Sequence, residues 1–109
     1  MVDPVEEVWR RAALLEAALK ECSKRGKAAA EAERAYRVAL AEKILLLRDG
    51  GYPATLIGDL ARGDREIARL KFDRDCSTVV YENAKEAVLV YKKQIDLLRE
   101  QIEREWNNP

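Results

Sequence analysis

The chain is predicted to be all-α: two long antiparallel helices joined by a short helix, coiled-coil-like and self-associating. Three observations lead there. First, Ile67, Leu70, Arg74, Ser77, Tyr81, Ala84, Val88, Tyr91, Ile95, Leu98, Ile102 and Glu105 follow alternating steps of three and four, which keeps one stripe on one side of a single helix. Second, Val5, Ala12, Leu19, Gly26, Glu33, Leu40 and Leu47 recur every seven residues, with Val8, Leu15, Cys22, Ala29 and Tyr36 as a companion row. Third, the helix breakers are few, and most of them gather between these two segments. A chain of 109 residues is read as one helical domain, 1–109.

The first long helix is expected over about 4–49. Asp3 is a good N-cap, Pro4 suits the first helical position, and Glu6 stands where a capping box needs it. Its middle is small or polar: Gly26 to Glu33, among Ala28, Ala29, Ala30, Ala32 and Ala35. Small residues bury little area, so this is expected to be the weakest part of the core. One continuous helix is favoured, with a break near Lys24–Lys27 as the alternative.

Arg48-Asp49-Gly50-Gly51 is the stop, because glycine takes the left-handed conformation of a helix C-cap. After Pro53, a short helix over about 54–62 carries Leu56, Ile57 and Leu60, and Gly63 ends it. Asp64 is the expected N-cap of the last helix, with Glu66 favourable near its positive end. That helix is expected over about 64–106, on the order of 64 Å, with Asn107, Asn108 and Pro109 ending it.

The last helix has a second apolar row: Phe72, Cys76, Val79, Val80, Ala87, Val90 and Leu97. One stripe packs on the first helix; the second calls for another partner, which is the argument for a homo-oligomer. A two-helix layer buries one seam only. Arg74 and Ser77 interrupt the main seam, where polar residues cost stability and set register. The alternative is a seam that begins only at Tyr81. Trp9 and Trp106 are expected near the outer ends of the long helices, closing the core together or serving as a binding hot spot. A turn with two glycines and a proline allows pairing within one chain or a swap between chains.

Charged residues make up 37% of the chain, with 20 basic and 20 acidic and a net charge of zero. Dedicated nucleic-acid binders are usually basic, so only a local patch is in play. There is no His, which removes the commonest general base and zinc ligand. The chain is read as non-enzymatic, with no catalytic residue, cofactor or metal. Asp73 and Asp75 do not share a helix face, and Asp59 and Asp64 are better explained as caps than as cation ligands. In a simple hairpin Cys22 and Cys76 miss each other by roughly 20 Å, so an intrachain disulfide is not expected and reduced cysteines in an intracellular protein are. The acidic start Met1-Val2-Asp3-Pro4-Val5-Glu6-Glu7 does not read as a signal peptide, and no apolar run approaches a membrane span. The expected location is the cytoplasm, that of the host if the chain is phage-encoded.

Two basic concentrations remain. Lys24, Arg25 and Lys27, close to Lys20, lie in the first helix. Arg62, Arg65, Arg69, Lys71 and Arg74 surround the start of the last, flanked by Tyr52 and Phe72. Cations beside aromatics bind single-stranded nucleic acid through phosphates and base stacking. Tyr52, Arg62, Arg65, Arg69, Lys71, Lys24, Arg25 and Lys27 are therefore the candidate nucleic-acid or partner contacts. The simpler reading is a solvated mixed-charge surface, since Glu21, Glu31, Glu66, Asp73 and Asp75 lie among them.

Leu40-Ala41-Glu42-Lys43-Ile44-Leu45-Leu46-Leu47-Arg48, Gly51-Tyr52-Pro53-Ala54-Thr55-Leu56-Ile57, Leu60-Ala61-Arg62-Gly63-Asp64 and Leu98-Arg99-Glu100-Gln101-Ile102-Glu103-Arg104-Glu105-Trp106 resemble small helical proteins encoded by phages and prophages of Gram-positive bacteria. The likeness covers roughly the last two-thirds of the chain. Its specific parts are Gly-Tyr-Pro-Ala-Thr-Leu-Ile and Ala-Arg-Gly-Asp; the alanine-rich first helix departs from it. The resemblance implies an accessory role in phage DNA recombination or replication, with single-stranded DNA or a recombination protein as partner, and implies no catalytic residue. The alternative is a scaffold or host-factor-binding adaptor with no nucleic-acid affinity. A small two-helix secreted effector is a third class, but the turn reads Gly51-Tyr52-Pro53 and lacks a Trp-x-Gly motif.

Overall fold

A computed structural model describes residues 3–108. Met1 and Val2 of the acidic start, and Pro109 as a helix stop, lie outside the described residues. Three helices follow in order: α1 (Pro4–Asp49), α2 (Ala54–Gly63) and α3 (Arg65–Asn107). No strand occurs among the described residues.

Each boundary has a local cause. The Val5 N–H donates to Asp3 Oδ1 at 3.0 Å, satisfying one of the donors left open at a helix start. The capping-box return bond from Glu6 to Asp3 does not form among the described residues, so Asp3 caps alone. α1 runs without interruption through Gly26, and the alternative break near Lys24–Lys27 is absent. Beyond Asp49 the Gly50 N–H donates to Leu46 O at 2.9 Å and the Tyr52 N–H to Leu47 O at 3.2 Å. Gly51 takes φ +78°, the left-handed region in which a side chain is strained. α2 ends as the chain extends at Asp64 (φ −61°, ψ 136°). The Asp64 carboxylate then accepts from the Glu66 and Ile67 N–H groups at 3.1 and 3.2 Å, starting α3 as its N-cap.

The contacts gather into two compact units, Gly26–Val80 and Met1–Arg25 with Tyr81–Pro109. In the first, α1 and α3 run antiparallel: Lys43 Nζ lies 3.2 Å from Asp64 Oδ1, and Glu33 Oε2 lies 3.3 Å from Arg74 Nη1. α2 adds a third element, and four side chains are buried here: Tyr36, Ile57, Ala61 and Ile67. Ala61 is fully inaccessible. In the second unit the start of α1 meets the end of α3, and Arg11 Nη1 donates to Gln94 Oε1 at 2.8 Å. Only Val88 is buried among its described residues. Two helices without a third cover each other along one strip and leave the flanks wet.

The main stripe of α3 faces inward as a set. Ile67 and Val88 are buried; Leu70, Arg74, Ser77, Tyr81, Ala84, Tyr91, Ile95, Leu98 and Ile102 are half-buried. The seam therefore starts at Ile67 and not at Tyr81. Glu105, its expected last member, is exposed in the final turn. The second row, Phe72, Cys76, Val79, Val80, Ala87, Val90 and Leu97, is exposed at every position.

The two tryptophans depart from expectation. Trp9 is 73% exposed and Trp106 83%, so they do not close a core. Trp9 follows the inward Val8 by one residue, which turns it about 100° away around the helix. The Arg11–Gln94 pairing sets a register in which Trp106 overshoots Pro4, where α1 begins, so no helix lies opposite it.

Candidate interaction surfaces

The eight candidate contacts divide by the company they keep. Arg62 reaches Asp59 at 3.2 Å. Arg69 is held between Glu66 at 2.9 Å and Asp73 at 3.1 Å. Arg25 donates to Glu21 at 2.6 Å. Each of these guanidiniums spends its charge on its own helix. The carboxylates beside Arg69 also hold its pKa above the ordinary arginine value, through the Glu66 hydrogen bond first.

Lys24, Lys27, Arg65 and Lys71 are exposed and have no ion-pair partner among the described residues. Tyr52 is exposed in the turn after α1. Arg65 and Arg69 lie four apart and share a helix face with Phe72, whereas Lys71 is turned about 100° from Phe72. Lys24 and Arg25 belong to one compact unit; Lys27 and the remaining five belong to the other. Within the larger basic group the structure brings Arg65 and Arg69 together and separates Lys71 from them.

A polar knot in the Gly26–Val80 unit was not foreseen. The Arg74 guanidinium sits 4.7 Å from the centre of the buried Tyr36 ring. It also reaches Glu33 on α1 and lies 2.9 Å from Asp75. The Asp75 hydrogen bond is the first cause of the raised Arg74 pKa. Glu33 is held below the ordinary glutamate range chiefly by Arg37, at 2.6 Å, with Arg74 adding to it. Glu33, Tyr36, Arg37, Leu40, Ala41, Ile44 and Arg74 line an open groove beside this knot. Both seams carried the signal, a Glu in one and an Arg in the other; the stacking on Tyr36 had none. Arg74 therefore works inside the fold and is spent as a phosphate contact.

In the other unit, Glu7 takes hydrogen bonds from Arg10 and Arg11, at 2.7 and 2.8 Å, and these hold its pKa below the ordinary range. Glu7, Arg11, Gln94, Leu97, Leu98 and Gln101 border a second open groove. Cys22 is half-buried and Cys76 exposed, and both are free thiols. No three metal-ligating side chains converge among the described residues. No described helix is long and apolar enough to cross a membrane.

Apolar side chains are also exposed. Outside its inward stripe α3 exposes Phe72, Val79, Val80, Leu89, Val90 and Leu97, Phe72 to 67%. Around the turn, Leu45, Leu46, Tyr52, Leu56 and Leu60 are exposed as well. α2 places Ile57 and Ala61 inward and the adjacent Leu56 and Leu60 outward. Comparison with protein families, curated proteins and solved structures gives no match.

Proposed function

We propose that this chain is a non-enzymatic interaction protein that acts by docking the outward apolar row of α3 onto other protein. One observation carries the reading: Phe72, Val79, Val90 and Leu97 stand exposed on a helix whose opposite stripe is already covered. Exposed apolar side chains rimmed by polar residues mark interaction surfaces. Under the resemblance to phage-encoded helical proteins, the partner class is a protein of phage DNA recombination or replication, met in the host cytoplasm.

The test is titration of purified phage single-strand-annealing and single-strand-binding proteins with the labelled chain, wild type and Phe72→Asp. Binding in the micromolar range or tighter that the substitution abolishes, with helicity unchanged, supports the reading. Binding that survives Phe72→Asp moves the site elsewhere, and no binding to any of them removes this partner class.

A second reading has its own support. Lys24, Lys27, Arg65 and Lys71 are uncommitted cations and Tyr52 is an exposed ring, the materials of single-stranded DNA contact. Fluorescence anisotropy of single-stranded DNA at low and physiological salt, with duplex as control, tests it. Salt-sensitive binding weakened by Arg65→Glu and Lys71→Glu supports phosphate contact. Absence of binding at low salt sinks it.

A further inference from the structure

The Gly26–Val80 unit leaves a hydrogen-bonding group unmet beside open space. Tyr36 is 7% exposed, and its ring lies under the Arg74 guanidinium. The hydrogen bonds around it run from Arg37 and from Arg74 to Glu33, and none reaches the Tyr36 hydroxyl. Polar groups on buried side chains are rarely left without a partner. No unpartnered side-chain oxygen or nitrogen is sealed from solvent among the described residues, so this oxygen touches open space. The open space that Tyr36 lines is the groove of about 370 Å³ bounded by Leu40, Ala41 and Ile44. Residues 36, 40 and 44 follow steps of four along α1, so this wall runs about 12 Å along the helix.

We infer that the groove receives an apolar side chain from an extended, uncharged segment of another protein, with the Tyr36 hydroxyl donating to a backbone carbonyl of that segment. The wall favours an aliphatic group: Leu40 and Ile44 are half-buried and Ala41 is exposed, and covering them removes apolar surface from water. The charges at the rim are already answered. Glu33 takes Arg37 at 2.6 Å and Arg74 at 3.3 Å, and Arg74 also holds Asp75 at 2.9 Å. A charged ligand would lose hydration there and find no free counter-charge, so a neutral one is preferred. The unmet group is a phenol, which donates to a carbonyl oxygen.

Size and openness select a protein segment over a small molecule. The volume lies at the lower end of the range of about 300–1,000 Å³ for ligand sites, but such sites bury about 70–90% of the ligand. A groove open along one side does not, so its occupant must bring its own cover. Carbonyls inside a helix are bonded within it, so the one that meets Tyr36 belongs to an extended stretch. None of the lining residues belongs to the outward row of α3, and the two surfaces are tested separately.

The test titrates the isotope-labelled full chain at pH 6 with N-acetyl-leucine amide, which carries a leucine side chain between two carbonyls and no charge. Its charged relatives are the comparison: N-acetyl-leucine, a carboxylate, and leucine amide, an ammonium at this pH. Shifts of the Leu40, Ala41 and Ile44 methyl signals read the site, with a dissociation constant of about 1 mM expected for so small a ligand. Each charged relative is expected to bind about threefold more weakly or worse. Tyr36→Phe keeps the ring under Arg74 and is expected to weaken the neutral probe about three- to tenfold, the worth of one hydrogen bond. Ala41→Trp fills the groove from an exposed position and is expected to abolish binding. Circular dichroism checks that both variants fold. Absence of methyl shifts up to about 50 mM of the neutral probe, far above a millimolar constant, overturns the inference. Equal binding of the charged relatives, undiminished binding by Tyr36→Phe, or shifts centred outside the groove overturns it as well.

Discussion

Replacing Ile67 by Ala tests the claim that the Gly26–Val80 unit holds the core. Ile67 is 3% exposed and sits in the first turn of α3, where its N–H also bonds to the Asp64 cap. The substitution removes three carbons, worth about 0.8 kcal/mol each in transfer free energy, or about 2.5 kcal/mol. The space left behind adds to this, and Ile→Ala in buried sites costs about 2–5 kcal/mol. A domain of this size has a total stability of about 5–15 kcal/mol, so the change is a large share of it. Urea unfolding followed by far-ultraviolet circular dichroism is the assay. With a slope of about 1–3 kcal/mol/M, the midpoint is expected to fall by about 1–2 M. The matched control is Leu46→Ala, at a side chain 67% exposed, expected to stay within about 0.5 kcal/mol. Equal shifts for the two variants would refute the burial assignment and with it the packing of α2 over the α1–α3 pair.

Gly51→Ala forces a side chain into the left-handed region at φ +78° and is expected to lower stability by about 1–2 kcal/mol; Gly63→Ala, whose added carbon meets nothing within 4 Å, serves as the comparison. Amide hydrogen exchange is expected to be faster around Val88 than around Tyr36 and Ile67, because protection follows local burial and Val88 alone is buried among the described residues of its unit; the reverse order would contradict the two-unit description. The Asp64 carboxyl is held below the ordinary aspartate range, by the Ile67 N–H first and then by Lys43. A depressed folded pKa gives stability that is full above the unfolded value and is lost as pH falls through the folded one. The wild type is therefore expected to lose stability on acidification below about pH 4, and Asp64→Asn to lose less over the same span, as followed by thermal melts between pH 6 and pH 2. Arg74→Ala leaves Tyr36 without its cation and Glu33 with one partner fewer, so it is expected to lower the melting temperature more than Arg99→Ala, whose side chain is on the exposed side of α3.

Much of the architecture was legible because helices advertise themselves through period. Steps of three and four in α3 mark the residues that turn inward, and Asp3, Gly51 and Asp64 act on backbone groups only a few positions away, so local chemistry sufficed to place the ends. The candidate site was legible only as composition. Basic residues can be counted in a sequence, but whether a guanidinium is free depends on the rotamers of neighbours three and four positions along. Arg62, Arg69 and Arg25 turn out to be engaged, while Arg65 and Lys71 do not.

By itself the sequence determined that the chain is helical, where each helix begins and stops, and which stripe of α3 seeks cover, since all of these follow from interactions within about one helical turn. Tertiary structure alone decided which residues meet across helices. It set Arg74 on Tyr36, gave Lys43 to Asp64, and left Trp9 and Trp106 exposed. Those outcomes depend on the register between elements distant in sequence. A shift of one residue there turns a side chain by about 100°, and no local pattern records it.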